Sequence, residues 1–187
     1  MNTEINRKIS VIFATDVVDY SLHMEKDESG TVTSLRTYEK ILKQAFKKHG
    51  GRLFNTGGDS FMAEFSSAVK AVECAIDFQN IVKEKNIKPA LSFRIGINAG
   101  DVILEKKNLL GDGVNVAARL EQLSQPDGIT ISKSIFDYIE GKLDLKIQDQ
   151  GIQQVKKNRF HAFDILLDPA QKRDLKKKRY NLKIAVI

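Results

Sequence analysis

The stretch Lys8–Thr15 (KISVIFAT) restricts the fold more than any other part of the chain. It is short, rich in β-branched and aromatic residues, and carries apolar side chains on both faces. A strand of that kind must be covered on both sides, so it belongs in the middle of a sheet with layers above and below. It stops at Asp16. A second segment, Leu91–Asn98, alternates strictly. Leu91, Phe93, Ile95 and Ile97 share one face, and Ser92, Arg94, Gly96 and Asn98 the other. This too is a strand, and Gly100-Asp101 predicts a turn from it into Val102–Leu104.

Helical spacing appears between these strands. Leu35, Tyr38, Leu42, Ala45 and Phe46 recur on one face of a helix over Ser34–Phe46, which Gly50-Gly51 closes. Arg52–Asn55 and Phe61–Phe65 read as strands around a turn at Gly57-Gly58-Asp59. A helix over Ser66–Lys85 carries Ala68, Ala71, Val72, Ala75, Phe78 and Val82 on its stripe. Cys74 lies beside them as a packing residue. Val114–Leu123 predicts a third helix, ended by Pro126-Asp127-Gly128. Ile129–Ile131 is a short strand, Ser132 caps a helix through Tyr138, and Leu143–Ile147 and Phe160–Leu167 are closing strands. The order β-α-β-β-α-β-(β)-α-β-α-β-β predicts an α+β fold: a ferredoxin-like (split βαβ) mixed sheet with helices and C-terminal elaborations.

The 187 residues suit one domain with a little left over. Cys74 is the only cysteine, which excludes an internal disulfide and a thiolate-rich metal cluster and fits a reducing compartment. No apolar run approaches the roughly 18–20 residues that span a bilayer, and the polar start Met1–Glu4 lacks a signal-peptide pattern. The expected location is cytoplasmic. The net charge of +6 arises entirely after residue 171, where seven basic residues face one acid. So local an excess reads as a solvated basic helical linker over 169–180 rather than a nucleic-acid or membrane tether. Residues 181–187 are apolar and strand-like, as at the start of a further domain. His23, His49 and His161 show no metal-ligand spacing.

Two constellations point to chemistry. Asp16 and Asp59 each sit where a strand gives way to a turn. Carboxylates meeting at a sheet edge suit Mg²⁺ or Mn²⁺, and two such ions can activate a hydroxyl and neutralise a leaving phosphate. Read without that pairing, each is a common turn residue. Asn115 and Arg119, four apart, project from one helix face behind Gly111-Asp112-Gly113, where an anion could approach a helix N-terminus. Arg is the natural partner for developing phosphate charge, and Asn can donate to a sugar oxygen.

Four segments in order resemble the class III adenylyl/guanylyl cyclases over about residues 7–167: Val11–Ser21 (VIFATDVVDYS), Phe54–Phe61 (FNTGGDSF), Arg94–Gly100 (RIGINAG) and Leu110–Leu120 (LGDGVNVAARL). The resemblance implies a class III nucleotidyl cyclase fold with the catalytic domain over 1–168. It implies a head-to-tail homodimer that converts a nucleoside triphosphate, ATP rather than GTP, into its 3′,5′-cyclic monophosphate and pyrophosphate. Asp16 and Asp59, with the Val17 carbonyl, would hold two divalent cations. The segment through Tyr20 and Ser21 would line the phosphates. The partner protomer's copies of Asn115 and Arg119 would orient the ribose and stabilise the pentavalent phosphorus, and Lys156 would touch the triphosphate. The family's adenine-reading Lys and Asp are replaced here by Asn55 and Asn108. An amide both donates and accepts, so the pair could suit adenine or, flipped, guanine. Asp19 stands where the family prefers Gly. Three other readings remain open: the related diguanylate cyclases, which carry Glu where Ser60 stands; a non-catalytic nucleotide-binding or dimerisation module; and nucleic-acid binding through the basic tail.

Overall fold

The computed structural model describes residues 5–155 and 158–173. The element order is β1 (Arg7–Val17), α1 (Tyr20–Lys26), α2 (Glu28–His49), β2 (Arg52–Gly57), β3 (Ser60–Phe65), α3 (Ala68–Glu84), β4 (Phe93–Glu105), β5 (Asn108–Leu110), α4 (Asp112–Leu123), β6 (Ile129–Ser132), α5 (Lys133–Ile139), β7 (Ile147–Val155) and β8 (Asn158–Ile165). The strands form one mixed sheet in the order β2-β3-β1-β4-β6-β8-β7, and β5 pairs with β4. β1 is antiparallel to both β3 and β4, which gives the split βαβ arrangement of the ferredoxin-like plan.

β1 is covered on both faces, as its composition predicts. Val11, Phe13 and Val17 enter the larger core beneath α2, α3 and α5. Ile12 and Ala14 enter a smaller core on the other face with Val114 and Ala117 of α4. The larger core is held by edge-to-face aromatic contacts: Phe13–Phe46 at 5.1 Å, Phe78–Phe93 at 5.1 Å and Tyr38–Phe93 at 5.2 Å between centroids. Asp27 caps α2 by accepting the Gly30 N–H, Ser67 caps α3 and Ser132 caps α5. Gly50, at φ 76°, closes α2.

Several boundaries depart from expectation for identifiable reasons. Gly100-Asp101 does not turn. β4 runs straight through it, paired with β1 from Val17↔Phe93 to Arg7↔Ile103. Gly100 serves close packing instead, since a Cβ there would lie 3.2 Å from the Gly113 Cα. The turn falls at Lys106, at φ 57°, and β5 folds back from it. α1 and the first turns of α2 carry too few apolar residues to register as helix by periodicity. Leu143 and Leu145 form no strand and pack against the larger core from a loop. The strand is β7, a mostly polar segment whose register shifts between Asp149 and Gly151. Of the linker expected over 169–180, the described part is a single 3₁₀ turn, Pro169–Gln171, followed by Lys172 and Arg173. The remainder, with 181–187 and Lys156, lies outside the described residues. Among the described residues no helix is long and apolar enough to cross a membrane.

Gly96 of β4 sets the position of α4. A Cβ built there would lie 2.1 Å from the Glu121 backbone N and 2.3 Å from the Ala117 carbonyl oxygen. The helix backbone therefore rests on the strand with no side chain between them. Gly96→Ala is expected to lower unfolding free energy by about 3 kcal/mol, as overpacking of a rigid contact does. Gly57→Ala, whose Cβ would meet nothing nearer than 3.9 Å, should change it far less. Urea denaturation of the two variants checks the contrast.

Candidate active site

Asp16 is the penultimate residue of β1, and Asp59 lies in the turn joining β2 to β3. β1 and β3 are neighbours, paired up to Thr15↔Phe61, so topology brings the two acids to the same sheet edge. The Asp59 carboxylate accepts the backbone N–H of Val17, the residue after Asp16, and feels the Asp16 charge. Burial, with that charge added, raises the Asp59 carboxyl above its ordinary range against the lowering effect of backbone donors.

Asp16 is gripped in a two-pronged ion pair. Arg94 Nε donates to Oδ1 at 3.0 Å and Nη2 to Oδ2 at 2.5 Å. Arg94 sits directly opposite Asp16 in the β1–β4 register. On the other side stands Glu121, 5% exposed, with Oε1 3.9 Å from Arg94 Nη2. Burial first, then the charge of Asp16 and a hydrogen bond to it, push Glu121 up to about 8. Glu121 was not foreseen from the sequence. Its signal was a carboxylate four residues past Ala117, on the face of α4 that is otherwise apolar and turned to the sheet.

The remaining candidates fall into distinct places. Val17, Asp19, Tyr20, Ser21, Asp59 and Arg94 line an open cleft of about 480 Å³. Asp19 adopts φ 53°, the left-handed conformation that glycine takes without strain, which gives a physical reason for a Gly at that position. Asn55 and Asn108 meet in a second cleft, of about 630 Å³, with Phe54, Thr56 and Lys106. Asn108 Oδ1 accepts the Leu109 N–H at 2.9 Å, so its amide NH₂ is the end left for a ligand. Asn115 and Arg119 line neither cleft. Asn115 is exposed and Arg119 half-buried on α4.

Two of the three histidines serve structure. His49 pairs with Asp77 at 2.8 Å, and His161 stacks on Phe163 at 4.5 Å and pairs with Asp149. Burial pushes the Cys74 thiol up to about 12, which suits a packing residue. Among the described residues no three His, Cys, Asp or Glu side chains converge to hold a metal. Asp16 and Asp59 would bind an ion only with help from backbone or substrate oxygens.

Glu121 gives the metal-free protein a defined pH response. Its native proton persists to about pH 8, whereas the unfolded side chain loses it near the ordinary glutamate value of 4.5. The stabilisation attached to that proton is complete below the unfolded pKa and disappears as pH rises through the folded one. The thermal midpoint of the wild type should fall between about pH 5 and pH 9 more steeply than that of Glu121→Gln. Parallel profiles in a metal-free buffer series would show that Glu121 does not hold this proton.

Comparison with known proteins agrees with the geometry. Residues 1–168 match the adenylate and guanylate cyclase catalytic domain. A putative adenylate cyclase 3 of Rhizobium meliloti is 41% identical over 157 residues, which cover 81% of this chain and 27% of that protein. The chain thus spans about a quarter of that relative's length. The structure of an adenylate/guanylate cyclase/hydrolase from Silicibacter pomeroyi superposes with a TM-score of 0.80 at 31% identity, covering 88% of this chain and all of that one. The adenylyl cyclase CyaB of P. aeruginosa shares the fold at a TM-score of 0.77 and 23% identity, over 91% of this chain and 100% of that one. From the split βαβ sheet to the acids at its edge, the chain belongs to the adenylate and guanylate cyclase catalytic-domain family.

Proposed function

We propose that this chain forms 3′,5′-cyclic AMP and pyrophosphate from ATP at the interface of a head-to-tail homodimer. The observation that carries the reading is the meeting of Asp16 and Asp59 at one sheet edge, close enough for the charge of one to raise the other. Asp16 and Asp59 share that edge with Arg94 and with Glu121, which burial keeps protonated. That donor set is short of positive charge, and hard divalent cations suit it. Asp16 and Asp59, with the Val17 carbonyl, would hold Mg²⁺ or Mn²⁺, which would favour the ionised 3′-hydroxyl and neutralise the departing pyrophosphate.

The chain's own residues do the rest by positioning and charge. The 3′-oxygen attacks the α-phosphorus in line, its proton passes to solvent, and the bond from the α-phosphorus to the bridging oxygen breaks as pyrophosphate leaves. The segment Val17–Ser21 lines the phosphate path, with Tyr20 and Ser21 at the cleft and Lys156 as a further phosphate contact. Asn115 orients the ribose, and Arg119 meets the charge that grows on the pentavalent phosphorus. Neither lines the cleft of Asp59 and Arg94 in its own protomer, which supports their service to a partner's site. At the base, the Asn108 NH₂ would donate to adenine N1 and the Asn55 carbonyl would accept from N6. Adenine is preferred over guanine because relatives carry the name adenylate cyclase. A triphosphate substrate and a lone buried thiol fit a cytoplasmic location.

Purified protein incubated with ATP or GTP and Mn²⁺ should yield cyclic AMP by chromatography, and EDTA should abolish it. Asp59→Ala should lose about 100-fold or more. Mn²⁺ should raise the melting temperature of the wild type and not that of Asp16→Ala/Asp59→Ala. Turnover of neither nucleotide at dimer-forming concentrations would falsify the catalytic reading. A mixed dimer of Asp16→Ala and Arg119→Ala chains should recover activity that neither homodimer has, because one intact composite site remains. Asn55→Lys with Asn108→Asp should sharpen the preference for ATP; a shift toward GTP would mean that these two positions do not read the base.

A further inference from the structure

Arg173 lies beyond the last strand, yet it is tied into the domain by both side chain and backbone. Its Nε stands 2.6 Å from Asp164 Oδ2 as an ion pair, and its Nη2 donates to Asp164 Oδ1 at 3.1 Å. The same Nη2 donates at 2.7 Å to the carbonyl of Leu123, the last residue of α4. The backbone is held as well: Arg173 N–H donates to Gln148 Oε1 at 2.9 Å, and Gln148 Nε2 donates to the Arg173 carbonyl at 2.8 Å. Asp164, only 6% exposed, is itself fixed by Thr130 Oγ1 at 2.6 Å and Gln150 Nε2 at 2.8 Å. A flexible surface arginine does not acquire such a set of partners.

The geometry matters because of where α4 ends. The carbonyls at a helix C-terminus have no partner within the helix and carry its negative pole, so a guanidinium there both satisfies and anchors them. Leu123 is one turn past Arg119 and two past Asn115, so the end that Arg173 grips belongs to the short helix that carries both. Further ties on α4 include Asn98 Nδ2 to the Gly113 carbonyl at 3.0 Å, Asn158 Nδ2 to Asp112 at 2.9 Å, and Glu121 beside Arg94. Arg173 alone among these comes from the chain that follows the last strand.

We infer that Arg173 is a positioning residue for Asn115 and Arg119, and that the chain continuing from it can act on the active site through the C-terminal end of α4. The inference rests on the dimeric cyclase reading. Withdrawal of the guanidinium would leave the Leu123 carbonyl without this donor and the buried Asp164 without its counter-charge. Helix α4 would then be less firmly placed at the distance where a shift of about 1 Å lowers turnover strongly.

The mixed dimer supplies the test, with two affinity tags used to isolate it from full-length chains. In that dimer the Asp16→Ala chain donates α4 to the working site, and the Arg119→Ala chain donates the carboxylates. Arg173→Ala placed in the α4-donating chain should lower kcat about tenfold or more with little change in the KM for ATP. The same change placed in the carboxylate-donating chain should lower activity less, because there α4 meets the working site only through Glu121. Arg173→Lys, which keeps a charge beside Asp164 but not the forked geometry, should give an intermediate loss in the first arm and guards against misfolding of the alanine variant. Equal loss in both arms, or none in either, overturns the inference, because general destabilisation does not discriminate between the chains. A mixed dimer inactive before Arg173 is touched overturns the dimeric reading, and this inference with it.

Discussion

The contact of α4 with the bare backbone of Gly96 is the constraint on which the site is built. Any side chain at that position would hold the helix away from the sheet. With none there, Glu121 comes down beside Arg94 and Asp16, two residues along β4 from the contact. One close approach thus aligns two features far apart in the chain: the carboxylate at the end of β1 and the helix that carries Asn115 and Arg119.

The electrostatics that follow are costly to the isolated protomer. Asp59 and Glu121 are both raised by burial before any neighbouring charge is counted, and Arg94 feels the charges of Asp16, Glu121 and Asp19. Arrangements of this kind are common where a site works on charged substrates, because the missing positive charge arrives with the ligand. On the cyclase reading divalent cations would bring that charge, with Asp16 and Asp59 as the residues that would hold them.

The sheet also keeps the two clefts apart. One lies at the ends of β1 and β3, the Asn55–Asn108 cleft lies between β2 and the β4–β5 hairpin, and Asn115 and Arg119 of α4 line neither. This separation makes sense of a dimer in which each protomer supplies what the other's cleft lacks. At the far end of α4, Arg173 binds the chain that follows the domain to the same helix. Of the basic residues after 171, Arg173 is therefore anchored to the domain.

Much of this could be read from the sequence. The two-faced apolar run of β1, the alternation in β4, the stripes of α2 and α3, and the Asn115–Arg119 spacing follow from local periodicity and side-chain type, which do not depend on what packs against them. The pairing of Asn55 with Asn108 was also anticipated, through family resemblance rather than spacing. Features without a periodic apolar signal were missed: α1, the polar strand β7, and the straight passage of β4 through Gly100, whose glycine serves packing instead of a turn. Glu121 and Arg173 were missed for a related reason. A charged residue acquires its role from the partners that surround it, and Arg94, Asp16, Asp164 and the Leu123 carbonyl come from distant stretches of chain. Sequence alone determined most of the strands and helices and which acids could meet. Only tertiary structure decided which buried charges compensate one another, because that depends on close approach between segments whose order in the chain does not encode their distance.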